Sequence, residues 1–163
     1  LHLDEKEMTM DEMGWITAFH KNLEKQVGDY LGEKPVIWRD SQLQGNDRFD
    51  EEIVGQFPKL RVMVSVISPR YVKSDWCLKE VDGFYDVANK NLGFYVGNKG
   101  RIFKVIKTPV PLEKIPDKIK PMLEYPFFTK EADDDTPYEY GYEKGDAYLQ
   151  DYWKAICKLS YQV

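Results

Sequence analysis

Apolar residues recur at three-to-four spacing in two long stretches of the chain. From Met13 to Leu31 this spacing predicts an amphipathic helix that stops at Gly32. Over residues 146–159 a broader apolar stripe predicts another helix, which we expect to cover one face of a sheet. Both stretches are therefore predicted to pack through one face.

Between these stretches, shorter apolar runs alternate with helical patterns. The run over 59–67 is rich in β-branched residues, which predicts a strand buried on both faces of a parallel sheet. A turn that contains Pro69 ends the strand, and Ser74 is the expected N-cap of a helix over 74–89. The other predicted elements are strands over 36–38, 102–106 and 125–129 and short helices over 49–57 and 115–123.

The regular alternation of helix and strand determines the predicted fold class. It favours an α/β protein with a doubly wound parallel sheet and helices on both faces. Such a sheet conventionally starts with a strand, and the pattern of this chain starts with a helix. We therefore expect the first strand to be missing or to lie upstream of Leu1. Residues 1–163 are predicted to form a single domain.

The amino-acid composition and net charge limit the classes of partner that the chain is expected to bind. The 163 residues are 42% hydrophobic and carry a net charge of −5 with acids and bases interspersed. This describes a protein with a substantial core and argues against nucleic acid as the partner, since phosphate binding needs a concentrated basic surface. No stretch has the apolar length of a membrane span, and no signal peptide is visible. The expected location is cytoplasmic.

The cysteines and histidines offer little chemistry by spacing. Cys77 and Cys157 have no partner at metal-ligand spacing, so no metal site is expected and both are interpreted as buried, reduced packing residues. Cys77 lies at a helix N-terminus, a position that lowers thiol pKa, which leaves a thiol nucleophile as a minority interpretation. His20 falls on or beside an apolar stripe, which favours a partly buried, hydrogen-bonded histidine over a catalytic one.

The candidate site lies where the central strand ends. In an open α/β sheet, ligands bind outside the carboxyl ends of strands. Trp76 and Glu80 follow such an end and share one helix face, because they are four residues apart. The alternative is a solvated surface glutamate and an indole that packs at the rim of the core.

Specific segments around this site carry a family likeness. Ser74 to Glu80 has the form Ser-x-Trp-Cys-x-x-Glu, and it follows an apolar strand that ends in Ser68-Pro-Arg-Tyr. A polar loop with Gly45 precedes that strand, after the segment Ile-Trp-Arg39-Asp40. In this combination the chain resembles the Toll/interleukin-1 receptor (TIR) domain, most closely the bacterial TIR domains found in antiphage defence.

The resemblance implies a flavodoxin-like fold and cleavage of NAD⁺ at the nicotinamide glycosidic bond. The family's catalytic glutamate matches Glu80, and the tryptophan of the same motif matches Trp76. NAD⁺ is then the substrate, and no cofactor is expected. The loop from Asp40 to Asp50 is implied to join TIR domains into assemblies with a composite site, and its predicted self-association residues are Ser41, Leu43, Gly45, Asn46 and Asp47. A fused or associated sensor domain is also expected.

The implied chemistry needs only one carboxylate. Nicotinamide leaves as a neutral molecule, so the leaving group needs no general acid, unlike the leaving oxygen of an ordinary glycoside. Arg39, Arg70 and Lys73 are candidates to neutralise the diphosphate, together with the free N–H groups of the helix N-terminus. With Trp76, the strand-end residues Asp40 and Ser68 complete the predicted substrate-binding set.

Three functions remain open on the sequence. The leading one is an NAD⁺ nucleoside hydrolase or cyclase that is activated by self-assembly. The main alternative is a TIR scaffold that acts through interfaces alone, and Glu80 favours the enzyme because scaffold members of the family often lack this glutamate. A generic flavodoxin-like nucleotide or phosphate-receiver domain is disfavoured, because there is no glycine-rich phosphate loop and no acidic cluster at the strand ends.

Overall fold

The structure, a computed structural model, describes residues 14–39, 55–91, 93–97, 99–141 and 145–163, with the backbone alone of Trp76. These residues fall into two compact units, Leu1–Ser41 with Pro126–Val163 and Gln42–Tyr125. Within the described part of the chain the helices are α1 (Trp15–Leu31), α2 (Asp75–Asn91) and α3 (Asp146–Ser160), and the strands are β1 (Met63–Ile67), β2 (Tyr95–Val96), β3 (Lys99–Gly100), β4 (Ile102–Ile106), β5 (Glu124–Pro126), β6 (Phe128–Lys130) and β7 (Pro137–Glu139). These helices and strands confirm the predicted α/β class. The single domain stays a prediction.

The first unit is built on α1 and α3. Ile16, Phe19, Leu23 and Val27 are buried at three-to-four spacing along α1, which confirms the predicted stripe. The helix ends where predicted, because Gly32 takes a left-handed conformation with φ of 73° and donates its N–H to the carbonyl of Gly28. Leu31 at the end of the stripe is exposed.

An aromatic cluster forms the centre of the first unit. The Trp15 ring stacks on Phe19 at a centroid distance of 5.1 Å and meets Phe127 edge-on at 5.7 Å. Its indole Nε1 donates to the carbonyl oxygen of Tyr140 at 2.8 Å. Tyr152 of α3 is buried against Phe127 and accepts a hydrogen bond from the Asn22 amide. Edge-on and offset ring pairs of this kind stabilise a core beyond the apolar area they bury.

The second unit contains the central sheet. β1 and β4 pair in parallel, from Met63 opposite Ile102 to Ile67 opposite Ile106, and β5 follows in the order β1-β4-β5. All five residues of β4 are buried, as expected for a strand covered on both faces. Parallel strands need a long crossover between them, and α2 lies in that connection.

The buried Lys104 is the exception in this apolar strand. Its side chain is 1% exposed, and its Nζ lies 3.0 Å from the carboxylate of Glu124 and 3.0 Å from the carbonyl oxygen of Lys120. Ser65, its partner in register on β1, is also buried, and the Ser65 hydroxyl has no hydrogen-bond partner among the described residues. The centre of one sheet face is therefore polar.

Arg101 anchors the amino ends of the two parallel strands. It is 5% exposed, and its guanidinium donates to the carbonyl oxygens of Leu60 and Arg61, both at 2.6 Å, and of Gly93 at 3.3 Å. The same guanidinium lies 5.4 Å from the centre of the Phe84 ring. One side chain thus satisfies three main-chain acceptors and joins the residues before β1 to the loop after α2.

Four predicted elements are wrong in type or extent. The predicted strand over 59–67 begins only at Met63, and Phe57–Lys59 form a 3₁₀ turn. The predicted strand over 36–38 is irregular, and Val36 is 97% exposed. The predicted helix over 115–123 forms turns instead, because Pro116 and Pro121 interrupt it. The predicted strand over 125–129 is divided into β5 and β6 by the buried Phe127.

The acidic segment that follows β6 includes a further strand. β7 pairs antiparallel with β6 and places Tyr138 opposite Thr129. Asp134 organises the turn between them, since its carboxylate accepts from the Thr136 N–H at 2.8 Å and from the Tyr138 hydroxyl at 2.6 Å. These bonds hold the pKa of the Asp134 carboxyl below its usual range.

Other predicted elements are confirmed. The strand over 102–106 has the predicted bounds, and α2 and α3 extend the predicted helices by one or two residues. Most of the predicted helix over 49–57 lies outside the described residues, and residues 55–56 are helical. Within the described residues, none of the helices has the length and apolar character to cross a membrane.

We expect Arg101 to contribute strongly to the stability of the second unit. Arg101→Met keeps most of the side-chain volume but leaves three carbonyl groups without their donor, which should lower the free energy of unfolding by roughly 3 kcal/mol or more. Arg61→Met is the matched control, because the Arg61 side chain is exposed and its loss should change stability by no more than about 0.5 kcal/mol. Urea unfolding measures both, and equal midpoints for the two variants would contradict the anchoring role.

Candidate functional site

The candidate site begins at the carboxyl end of β1. The Ile67 carbonyl accepts from the backbone N–H of Lys107 at 3.0 Å and of Thr108 at 3.4 Å. The chain leaving β4 is therefore bonded to the chain leaving β1. Ser68 is the next residue, half-buried, and its Oγ accepts from the Tyr71 N–H at 3.2 Å.

A short 3₁₀ turn, Tyr71–Lys73, joins this strand end to α2. The side chains of Arg70 and Lys73 are exposed on either side of the buried Tyr71. Ser74 then caps α2 as predicted, since its Oγ accepts from the Cys77 N–H at 3.4 Å. Two exposed cations next to the N-terminal end of a helix favour an anion there.

Glu80 lies in the second turn of α2 and is half-buried. Its carboxylate is within electrostatic reach of the Tyr71 hydroxyl and the Cys77 thiol, because it contributes to raising the pKa of both groups. Trp76 is in the same helix, four residues earlier, and its side chain lies outside the described part of the structure. The predicted residues Ser68, Arg70, Lys73 and Glu80 thus lie in one segment of the second unit.

Cys77 is buried, as the packing interpretation expects. Burial raises the pKa of its thiol, and the nearby Glu80 adds to that effect, while the bond from the Ser74 side chain opposes it. The expected lowering by the helix N-terminus is therefore outweighed. These effects disfavour the minority interpretation of Cys77 as a thiolate nucleophile, which stays untested. Cys157 is half-buried, somewhat more open than expected.

Arg39 belongs to the first unit. Its Nη1 donates to the Thr17 hydroxyl at 3.1 Å, so α1 holds this guanidinium. His20 is half-buried, and its Nε2 has no hydrogen-bond partner in the described residues. Burial lowers the pKa of His20, and the positive charge of Arg39 lowers it further. The expectation of a partly buried, hydrogen-bonded His20 is confirmed, since a backbone hydrogen bond with Ile37 also acts on the ring and raises its pKa.

The remaining predicted site residues are outside the described part of the chain. They are the substrate-binding candidate Asp40 and the self-association residues Ser41, Leu43, Gly45, Asn46 and Asp47. Their predicted roles stay predictions. Within the described residues, no group of three or more His, Cys, Asp and Glu side chains is arranged to hold a metal ion.

Two features of the site were missed by sequence reasoning. Lys107 and Thr108 reach it through the parallel pairing of β1 and β4, for which the only sequence signal was the end of a predicted strand. Tyr71 was missed because it lies in a turn, where a side chain is usually exposed, yet it is 3% exposed. A large aromatic residue between a proline turn and a helix cap was its only signal.

A surface depression of about 600 Å³ is lined by residues of the first unit, and none of the lining residues is a predicted site residue. Its lysines are balanced by acids, with ion pairs between Lys25 and Asp29 and between Lys34 and Glu24. It lacks a net charge or an apolar floor that would select a ligand. Its lining consists of Lys21, Glu24, Lys25, Gly28, Asp29, Gly32, Glu33, Lys34 and Pro35.

Comparisons of this chain with models of protein families, with curated proteins and with solved structures found no match.

We expect His20 to make stability depend on pH. Because its pKa in the folded state is below the ordinary 6.5, its contribution is complete above about pH 6.5 and is lost as the pH falls towards the folded-state pKa. NMR titration of the His20 ring should show Arg39→Gln raising this pKa more than Lys21→Gln, since Arg39 is the stronger cationic influence. Equal shifts in the two variants would contradict the assigned cause.

We expect the two cysteines to differ in reactivity. In the native protein at pH 8, Cys157 should react with iodoacetamide at least about tenfold faster than Cys77, because Cys77 is buried and its thiol pKa is raised. Mass spectrometry of the single variants Cys77→Ser and Cys157→Ser assigns each rate, and in denaturant the rates should converge. A native Cys77 that reacts as fast as Cys157 would restore the nucleophile hypothesis.

Proposed function

We propose that this chain is an NAD⁺ nucleoside hydrolase or cyclase of the TIR type, with a flavodoxin-like sheet and activity that depends on self-assembly. The proposal includes a cytoplasmic location, a fused or associated sensor domain and a role in bacterial antiphage defence. Its motif is Ser74 to Glu80, and its substrate is NAD⁺ itself. The main support from the fold is the half-buried Glu80 in the helix that leaves the carboxyl end of β1.

The position of Glu80 suits the chemistry. As nicotinamide leaves, positive charge develops on the ribose ring carbon and oxygen, and a nearby carboxylate stabilises that charge. A half-buried carboxylate does this better than one in bulk water, because the effective dielectric constant around it is lower. It also remains open to a substrate on its exposed side. Glu80 is therefore proposed to be the catalytic residue.

The surroundings of Glu80 supply binding groups. Arg70 and Lys73 are exposed next to the N-terminus of α2, where a diphosphate would meet two cations and the positive end of the helix dipole. Ser68 ends β1 within the same segment. Trp76 is proposed to line the nicotinamide or ribose pocket, and the predicted substrate-binding roles of Arg39 and Asp40 belong to the same proposal. The segment of Ser41, Leu43, Gly45, Asn46 and Asp47 is proposed to join neighbouring copies.

We expect clustered protein to release nicotinamide from NAD⁺. A tagged chain held at high density on vesicles, or at high concentration, is incubated with NAD⁺ and the products are separated by chromatography. Glu80→Gln should lower the rate about 100-fold or more, the size of effect seen when one transition-state charge partner is removed. Glu113→Gln is the matched control, because Glu113 is exposed in a 3₁₀ turn of the same unit and should keep full activity.

The outcomes separate enzyme from scaffold. Both variants are first compared with the wild type by circular dichroism and thermal unfolding, so that a loss of fold is not read as a loss of chemistry. Unchanged turnover in Glu80→Gln would remove Glu80 from the mechanism. Absence of nicotinamide release by the wild type, dilute or clustered, would favour the non-enzymatic scaffold. Chromatography also distinguishes ADP-ribose from a cyclic product.

A further inference from the structure

Tyr71 is a buried phenol in the middle of the candidate site. It is 3% exposed, although it lies in a turn between the exposed Arg70 and Lys73. Its backbone N–H donates to the Ser68 hydroxyl at 3.2 Å, and its own hydroxyl donates to the Cys77 carbonyl at 3.4 Å. Tyr71 thus connects the end of β1 with the first turn of α2.

The carbonyl that Tyr71 contacts lies one turn before Glu80. In a regular helix the Cys77 carbonyl accepts from the N–H of Val81, the residue after Glu80. The Tyr71 hydroxyl is a second donor to that oxygen, and the Ser74 side chain accepts from the Cys77 N–H. Both the N–H and the carbonyl of Cys77 therefore have a side-chain partner. The helical turn that contains Glu80 follows directly after this residue.

The surroundings keep the Tyr71 hydroxyl protonated. Burial raises the pKa of this phenol far above its usual value, and the nearby Cys77 and Glu80 raise it further. The Ser65 hydroxyl lies close enough to oppose the effect, without forming a hydrogen bond of ordinary geometry. At neutral pH the phenol is therefore a hydrogen-bond donor, which suits a structural contact.

Packing alone does not require this hydroxyl. A phenylalanine fills the same volume, and burying a hydroxyl costs free energy that a hydrogen bond must offset. At 3.4 Å the bond to Cys77 is long for an O–H···O contact, so its contribution to the stability of the whole unit is small. Its consequence is local, because it ties the segment with Arg70 and Lys73 to the helix with Glu80.

We propose that Tyr71 is a positioning residue for Glu80, whose hydroxyl fixes the first turn of α2 relative to the Ser68–Lys73 segment. Glu80 and the two basic side chains then keep one spacing, which suits a substrate that carries a ribose and a diphosphate together. This inference rests on the proposed function for its effect on catalysis. The structural part of the inference, that Tyr71 holds a turn of α2 in place, does not depend on any activity.

The test compares two tyrosines that each lose one hydroxyl. Tyr71→Phe removes the contact with Cys77, and Tyr152→Phe removes a buried hydroxyl that accepts from Asn22 in the other unit. Nicotinamide release by clustered protein gives kcat and KM for each. Amide hydrogen exchange of Glu80 and Val81 is measured by NMR on the chain without NAD⁺. Thermal unfolding reports the stability of both variants.

We expect Tyr71→Phe to lower kcat about twofold, the rate equivalent of one weak hydrogen bond, with KM little changed. The Glu80 and Val81 amides should exchange faster in this variant alone, and Tyr152→Phe should change neither readout. Equal behaviour of the two variants in both readouts would overturn the proposal. If the wild type releases no nicotinamide, the proposed function fails, and the exchange rates alone then confirm or refute the positioning of the turn.

Discussion

The parallel pairing of β1 with β4 is the constraint on which the candidate site depends. Pairing in parallel register brings the carboxyl ends of both strands to one edge, where the Ile67 carbonyl accepts from the amides of Lys107 and Thr108. At the opposite end, Arg101 holds the main chain that enters β1. Because both ends of β1 are fixed, the position of the turn after β1 is also defined. α2 therefore starts beside the carboxyl edge of the strands, where ligands bind in sheets of this kind.

Elements specified by local chemistry could be predicted from the sequence. An apolar run that stays buried on both faces defines β4, Ser74 defines the start of α2, and Gly32 ends α1 because it adopts a left-handed conformation. Elements that depend on a distant partner could not. The segment 36–38 has strand-forming residues but no ladder, and β6 exists because residues 137–139 pair with it.

The same division applies to the candidate site. Ser68, Arg70, Lys73 and Glu80 were predicted together because they are neighbours in sequence, within a segment that turns from strand to helix. The burial of Tyr71 was not predictable, whereas that of Cys77 was expected, and burial decides the chemistry of both residues. It converts Tyr71 from a turn residue into an interior donor, and it raises the Cys77 pKa where the helix N-terminus alone would lower it.

A catalytic site with a single carboxylate depends on the exact position of that carboxylate. When the leaving group is neutral, no second acid is needed, so catalysis depends on holding one charge against a ribose while the diphosphate is bound elsewhere. A glutamate on a long flexible side chain achieves this only if its backbone is fixed. The proposed catalytic residue Glu80 lies in the second turn of α2, directly after a first turn that is capped by Ser74 and contacted by Tyr71. On that proposal, small structural changes in the connection between β1 and α2 should have the largest functional effect.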